Sequence, residues 1–383
     1  MRIGNSNNYR WPLVLWCGLL LTGSGRGQSV DAAKAIALEQ QGRLAEAASA
    51  WRAVTEHNPR DAAAFASLGV VLSREQKFQE AAAAYRKSLA LDPKLPGVSL
   101  NLGLAEFKLG RFKEAVGPLR AAVAADPNKL QARALLGLSY YGGGQFSEAS
   151  QQLELAAKAD PANTELRQVL AQSCLWAKKY DCALEQFRQI LQQNPDSAAA
   201  HILSGEALDG LGRTREAIDE FREATKAAPG DLNAAFGLGY LYWKQRQDEE
   251  AKAAFETVLA TDAKHAQALA YLGDIEMRQG SEKALAHLLQ AVELDSGIRI
   301  AHSDLGAIYM EQKRYPQALA ALQQAVRLDP AQPDTHFRLG RLYQAMGDRA
   351  AAKQEFEKVR ELQKKAEDSV MEKMGGAPPP LKP

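Results

Sequence analysis

The sequence is dominated by a spacing of 34 residues between prolines. Six prolines follow one another at this interval, at positions 59, 93, 127, 161, 195 and 229, and the next proline in phase is Pro330. Between Pro229 and Pro330, the two positions where the period expects a proline are Ala263 and Ser296. Self-similarity at a fixed period of 20 to 50 residues indicates a repeat architecture. If the recurrent proline is numbered position 32 of a unit, ten units begin at residues 28, 62, 96, 130, 164, 198, 232, 266, 299 and 333.

Three positions of the unit hold side chains of constant size. Position 8 is glycine in eight units and alanine in the other two, and position 20 is alanine throughout, with Ala284 of the eighth unit arriving one residue early. Position 24 is always bulky, from Trp51 to Phe356. Glycine in a helix interior costs about 1 kcal/mol relative to alanine, so a recurrent glycine requires a packing reason. We therefore expect two helices of each unit to cross closely at positions 8 and 20.

Each unit reads as a helical hairpin. Apolar residues recur at helical spacing, and a breaker such as Gly110 or Gly144 lies near position 15, between the two helical runs. Asp-Pro steps such as Asp92-Pro93 end the second helix, because proline disfavours helical geometry in the residue before it. A single hairpin cannot bury its apolar faces, so stacked hairpins must share a core. The predicted fold class is all-α.

The units resemble tetratricopeptide repeats, whose Leu-Gly pair at positions 7 and 8 is present in most of them, for example as Leu68-Gly69 and Leu339-Gly340. The first unit lacks the pair, and Ser204 replaces the leucine in the sixth. The resemblance covers residues 28–364 and implies an α-α superhelix, a solenoid of antiparallel hairpins. It also implies a concave groove that binds an extended peptide, a helix or another protein. The last unit runs on as a polar segment that suits a capping helix, and we expect residues 366–383 to form a flexible, proline-rich tail.

The N-terminal residues 1–27 have the layout of a signal peptide. Arg2 and Arg10 precede a short apolar run, which is followed by small residues. The run is too short for a bilayer core of about 30 Å, so an uncleaved N-terminal anchor is the weaker alternative. Lipid attachment at Cys17 is disfavoured by the bulky Trp16 before it. We expect an exported protein, periplasmic or at the cell envelope, with secretion as an alternative and membrane contact only through an uncleaved N-terminal segment.

Composition and motifs argue against an enzyme and against a nucleic-acid-binding protein. The chain has 47 Lys and Arg against 46 Asp and Glu, a formal net charge of +1, which gives no field to attract nucleic acid. No phosphate-binding loop, zinc-protease or nucleophile-elbow motif occurs, and from the short remainder after Lys364 we expect no appended catalytic domain. We expect no catalytic residue, cofactor or metal site. His201, His302 and His336 all occupy position 4, which indicates a repeated structural slot.

The geometry of the family assigns the groove to positions 5, 9, 12 and 13 of the first helices. In the middle units these positions are apolar or aromatic, and exposed aromatic rows mark contact surfaces. The alternative is that several of these side chains pack against the neighbouring helix. Tyr240 and Trp243 fit a contact surface best. The candidate partner-binding residues are Leu104, Phe107, Leu138, Tyr141, Leu175, Trp176, Phe236, Tyr240 and Trp243.

Two cysteines follow the N-terminal segment, Cys174 at position 11 and Cys182 at position 19 of the fifth unit. They form either a disulfide across the hairpin or a buried thiol and an edge thiol. A disulfide requires Cα atoms about 5.5 Å apart and an oxidising compartment. A bridge here would be a structural staple and not a redox site.

The sequence therefore predicts an exported, non-enzymatic scaffold that binds a protein or peptide in its groove, with an assembly or tethering role at the cell envelope. The alternative is an auxiliary subunit of an envelope enzyme or polysaccharide-export complex, which positions a catalytic partner.

Overall fold

The computed structural model describes residues 30–373, with side chains for residues 31–369, and over this range it contains twenty α-helices and no strand. The predicted signal peptide and the last ten residues lie outside the described range. The chain divides into two compact units, Met1–Pro195 and Asp196–Pro383. From here on, the first and second unit mean these two halves, and each 34-residue element of the sequence is called a repeat. Within residues 30–373, no helix is both long and apolar enough to cross a membrane.

The first unit contains five consecutive helix pairs. Their bounds are α1 (Val30–Gln40), α2 (Leu44–His57), α3 (Ala62–Arg74), α4 (Phe78–Leu91), α5 (Val98–Lys108), α6 (Phe112–Ala125), α7 (Leu130–Gly142), α8 (Phe146–Ala159), α9 (Thr164–Trp176) and α10 (Tyr180–Gln193).

The second unit repeats this arrangement with five further pairs. Their bounds are α11 (Ala198–Gly210), α12 (Thr214–Ala227), α13 (Leu232–Lys244), α14 (Asp248–Thr261), α15 (Ala266–Arg278), α16 (Lys283–Leu294), α17 (Arg299–Glu311), α18 (Tyr315–Leu328), α19 (Pro333–Ala345) and α20 (Arg349–Lys373).

The turn inside each pair contains one residue in the left-handed region. Gly144 has a φ of 76°, and Gln76 takes a φ of 61° at the same position of its own turn. A non-glycine residue pays about 1 to 2 kcal/mol for this conformation, which explains why glycine recurs there. Gln76, Lys178, Arg246 and Lys313 adopt it without that freedom, so the hairpin geometry is maintained by packing in those four pairs.

The close approach within each pair brings the small residue at position 8 directly against the large side chain at position 24. A Cβ added at Gly103 would lie 2.4 Å from Cγ of Leu119, the position-24 residue, and all eight position-8 glycines meet the position-24 side chain first. Position 20 also lies close, since Ala217 O is 3.4 Å from the Cβ built at Gly205 and Ala284 O is 3.5 Å from the Cβ built at Gly273. The structure thus keeps the close crossing at positions 8 and 20 and adds that the large position-24 side chain lies directly on the glycine. These side chains form the core, and Leu119 is fully buried.

In four pairs a basic side chain at position 4 bonds to the second helix of the same pair, namely Arg133, Arg167, His201 and His336. Arg133 donates to Gln152 Oε1 at 3.2 Å and to the Pro127 carbonyl at 2.8 Å. His336 occupies the same slot, with Nδ1 2.6 Å from Glu355 and Nε2 3.0 Å from the Pro330 carbonyl. The position-4 histidines therefore lie where other pairs hold arginine. Among the described residues, no group of three or more His, Cys, Asp or Glu side chains could hold a metal ion.

The C-terminal helix is longer than the sequence predicts. α20 continues unbroken to Lys373, so residues 366–373 are helical and the capping segment belongs to the last hairpin. Glu361 forms ion pairs with Lys358 and Lys365 at 3.0 and 2.8 Å, which support the extension. Between Arg349 and Gly375 the sequence contains no proline or glycine that would end the helix. The boundary of the predicted tail at residue 366 is therefore wrong.

Candidate functional site

Three aromatic side chains on two successive first helices form one cluster in the second unit, here called the aromatic cluster. Tyr240 and Trp243 lie on α13, and Tyr271 lies on α15. The ring centroids are 4.8 Å apart for Trp243 and Tyr271, 5.6 Å for Tyr240 and Tyr271, and 5.9 Å for Tyr240 and Trp243. All three side chains are half-buried, so part of each ring faces solvent.

Phe236 connects the aromatic cluster to the core. Its ring lies 5.8 Å from that of the fully buried Phe255, 5.1 Å from His265 and 6.0 Å from Tyr271. The ring of Tyr271 in turn stacks on Phe255 at 5.7 Å. The cluster therefore rests on a close-packed base, which limits the rotamers available to its rings.

Polar contacts fix two members of the aromatic cluster in place. Trp243 Nε1 donates to Asp274 Oδ2 at 2.5 Å, and this buried carboxylate also accepts from Arg278 Nη2 at 2.9 Å. Lys244 Nζ lies 5.6 Å from the centroid of the Tyr240 ring and donates to Asp209 at 2.6 Å. The rings are thus oriented before any partner arrives, which lowers the entropy cost of binding.

Tyr271 stays neutral across the physiological range. Burial raises the pKa of its hydroxyl to about 12, and the nearby Tyr240 and Asp274 add to the effect. The central ring of the aromatic cluster therefore acts as an apolar surface with a polar edge. Tyr271 was missed by sequence reasoning because it occupies position 6, which lies outside the groove positions that the family geometry assigns.

The candidates of the first unit separate into exposed and buried side chains. Tyr141 and Trp176 stack with centroids 5.4 Å apart, Phe146 lies 4.9 Å from Trp176, and Trp176 is 42% exposed. The Tyr141 hydroxyl donates to Gln172 Oε1 at 2.6 Å. Leu104 is half-buried.

Three candidates of the first unit are core residues in the structure. Phe107, Leu138 and Leu175 are only 8%, 4% and 6% exposed, because neighbouring helices cover them. Phe107, for example, packs edge to face on Phe112 at 5.5 Å. The alternative that several candidates pack against the neighbouring helix therefore holds for these three. Of the candidates in this unit, Tyr141, Trp176 and Leu104 keep part of their side chain in solvent.

Cys174 and Cys182 are joined by a disulfide that links α9 to α10. Their Cα atoms are 5.8 Å apart, Cys174 is fully buried and Cys182 is half-buried. The bond lies within one hairpin and next in sequence to Leu175 and Trp176. It therefore fixes the end of the helix that carries the exposed tryptophan.

Comparison with protein families matches most of the described chain to one kind of repeat. Models described as tetratricopeptide repeat match residues 32–96, 170–232, 72–136, 107–173, 210–275 and 333–365, and one described as TPR repeat matches residues 306–347.

Similar proteins share only part of their length with this chain. Human anaphase-promoting complex subunit 7 is 35% identical over 100 residues, which are 26% of this chain and 18% of that protein. The probable UDP-N-acetylglucosamine–peptide N-acetylglucosaminyltransferase SPINDLY of Hordeum vulgare is 24% identical over 148 residues, 37% of this chain and 16% of its own length. The chain thus spans less than a fifth of these relatives.

A solved structure with a similar fold is the APC/C hetero-tetramer Cut9-Hcn1. It superposes with a TM-score of 0.51 at 15% identity and covers 87% of this chain and 81% of that one. At this level of identity, the likeness concerns the fold, a solenoid of helical hairpins.

Proposed function

Because the chain is built of tetratricopeptide repeats, we propose that it is a non-enzymatic scaffold that binds a protein or peptide through the aromatic cluster of its second unit. The observation that carries the proposal is the contact of Tyr240, Trp243 and Tyr271 across two successive first helices, with all three rings partly open to solvent. Soluble proteins seldom leave such contiguous apolar surface without a partner.

The chemistry of the aromatic cluster suits a peptide or protein partner. Tyrosine and tryptophan provide a large contact area with few rotatable bonds, and they carry most of the binding energy at many interfaces. Asp274 and Lys244 fix the rings, so little side-chain entropy is lost on binding. Human anaphase-promoting complex subunit 7 is by name a subunit of a protein complex, which supports a role in assembly.

We further propose that the protein is exported and acts in assembly or tethering at the cell envelope, in the periplasm or after secretion. Two features support this location. Residues 1–27 have the pattern of a signal peptide. The Cys174–Cys182 disulfide suits an oxidising compartment, because cytosolic proteins keep their thiols reduced.

The test is a cross-linking pull-down from the envelope fraction, followed by affinity measurement with the purified partner. The parent chain is compared with a Tyr240→Ala, Trp243→Ala variant. The matched control is Tyr141→Ala, Trp176→Ala, which removes the corresponding pair of rings from the first unit. Circular dichroism checks that all three chains fold equally.

We expect the parent and the control to bind the same protein, and the Tyr240, Trp243 variant to bind it at least about 30-fold more weakly, the loss of about 2 kcal/mol typical of an interface hot spot. Equal binding by all three chains contradicts the proposal. If the partner is an enzyme whose activity depends on this chain, the scaffold is an auxiliary subunit that positions a catalytic partner.

A further inference from the structure

The first unit contains an open cleft between α6, α7 and α8. Its volume is about 520 Å³, within the range of small-molecule sites in proteins. Leu136 and Val123 give it apolar walls, and the Tyr140 ring lies at one side. None of these residues belongs to the aromatic cluster.

The cleft is open because α6 carries unusually small side chains on this face. Gly117, Ala121 and Ala124 occupy positions 22, 26 and 29 of their repeat. Each of the other nine second helices has a longer side chain at one or more of these positions. On α8, for example, the corresponding residues are Gln151, Leu155 and Lys158. A Cβ added at Gly117 would meet nothing within 4 Å, which shows how much space is left.

An unpaired arginine stands at the cleft. Arg120 occupies position 25, where five second helices carry arginine, and it has no carboxylate within ion-pair distance among residues 31–369. The other four arginines are paired with acidic side chains. These pairs are Arg52 with Glu80, Arg86 with Glu106, Arg188 with Glu185 and Arg222 with Asp219.

The second arginine of the cleft is also uncompensated. Arg133 donates to two neutral acceptors, Gln152 Oε1 at 3.2 Å and the Pro127 carbonyl at 2.8 Å. The cleft is thus lined by two guanidinium groups and by no carboxylate. Arg120 is free to present the N–H donors at the edge of its planar guanidinium to a ligand.

We propose that this cleft binds a small organic anion in which a carboxylate is attached to an apolar stem. A guanidinium binds a carboxylate through two parallel hydrogen bonds, and Arg120 has that capacity unused. The apolar stem would lie against Leu136 and Val123, in the space that Ala121 leaves open. The proposal is independent of the aromatic cluster, so either can fail without the other.

The test is a ¹⁹F NMR titration of the full chain with 4-(trifluoromethyl)benzoate. The neutral 4-(trifluoromethyl)benzyl alcohol serves as the probe that has the stem and lacks the charge. Two variants alter the cleft, since Arg120→Gln removes the charge and Ala121→Leu fills the space. Both positions are exposed, so the fold should tolerate the changes. Arg188→Gln, at position 25 of α10, is the matched control.

We expect saturable binding of the benzoate to the parent and to the Arg188→Gln variant with equal affinity. Arg120→Gln should weaken it at least about tenfold, as expected for the loss of a charge-assisted hydrogen bond, and Ala121→Leu should weaken it by occlusion. The proposal is overturned by any of three results: no saturable binding to the parent, equal affinity for the neutral alcohol, or unchanged affinity in both cleft variants.

A competition experiment identifies the source of the carboxylate. The peptide acetyl-Ala-Leu is added with a free C-terminus and, separately, as the amide. If the peptide with the free C-terminus displaces the benzoate and its amide does not, the ligand is the carboxyl end of a peptide. Displacement by hexanoate and not by the acid peptide supports a free small carboxylate.

Discussion

Asp304 on α17 gives the second unit a stability that depends on pH. Its side chain is only 1% exposed, and one oxygen accepts from Arg338 Nη1 at 2.7 Å while Oδ2 has no hydrogen-bond partner in the described chain. Burial raises the pKa of this carboxyl from 3.8 to about 7, and repulsion from Asp274 adds to the rise, against the opposing attraction of Arg338.

The direction of the effect follows from proton binding. Between pH 3.8 and about 7, the native state holds a proton on Asp304 that the unfolded state has lost. The stability that Asp304 contributes is therefore greatest below its unfolded-state pKa of 3.8, decreases as the pH rises between the two pKa values, and is lost above the folded-state pKa of about 7. The two pKa values are about three pH units apart, and each unit corresponds to 1.36 kcal/mol, so the loss is on the order of 4 kcal/mol.

The perturbation is Asp304→Asn, which keeps the shape of the side chain and removes its titration. Unfolding by urea is followed by circular dichroism from about pH 4 to pH 8. We expect the parent to lose on the order of 4 kcal/mol more stability over this range than the variant does. Asp334→Asn is the matched control, because Asp334 pairs with the same Arg338 at 3.0 Å but is 63% exposed. It should leave the pH dependence close to that of the parent.

A direct measurement decides whether the reasoning holds. The ¹³Cγ resonance of Asp304 should titrate with a midpoint near 7 in the folded protein. A midpoint near 4, or parallel stability curves for the parent and the Asp304→Asn variant, would refute the argument that burial dominates over the attraction of Arg338.

Two further predictions concern the hairpins of the first unit. Gly137→Ala should destabilise the protein by about 1 to 3 kcal/mol in urea unfolding, because the new Cβ would lie 2.6 Å from Leu153 Cγ. Gly117→Ala is the matched control, and it should be neutral or stabilising by up to about 1 kcal/mol, because its Cβ would meet nothing within 4 Å. Equal effects of the two changes would mean that the helices simply move apart. Reduction of the disulfide should cost about 2 to 3 kcal/mol, as expected for a short closed loop, and dithiothreitol should leave a Cys174→Ala, Cys182→Ala variant unchanged.

The architecture could be predicted from the sequence because it depends on a repeated pattern. The 34-residue period, the small residue at position 8 and the breaker near position 15 each recur. Agreement over ten repeats therefore excludes the chance match that a single repeat could produce. The contact that requires the glycine could not be assigned in the same way. Both position 20 and position 24 recur in phase with position 8, and only the structure shows that Leu119 is the side chain nearest to Gly103.

The exposure of the candidate residues depends on neighbours that a repeat pattern does not specify. Phe107 and Trp243 both occupy position 12, yet the first is covered and the second keeps part of its ring in solvent. The difference arises from the side chains that each ring meets. Phe107 packs on Phe112, whereas Trp243 is held by the carboxylate of Asp274 and the ring of Tyr271. Position in the repeat therefore gives the direction of a side chain, and the particular side chains around it, in its own hairpin for Phe107 and in the next repeat for Trp243, decide its burial.

Function in such a chain is expected where a column departs from its usual content. Stability in repeat proteins is approximately a sum of repeat and neighbour terms, so a local departure costs stability locally and is otherwise tolerated. Position 6 holds small or aliphatic residues in most repeats but Tyr271, Asp304 and Arg338 in the last three, and position 25 of α6 holds the one unpaired arginine of its column. The half-buried ring of Tyr271, the buried carboxyl of Asp304 and the unpaired guanidinium of Arg120 are not what close packing alone would select. The aromatic cluster and the α6 cleft are therefore the surfaces where partners should be sought first.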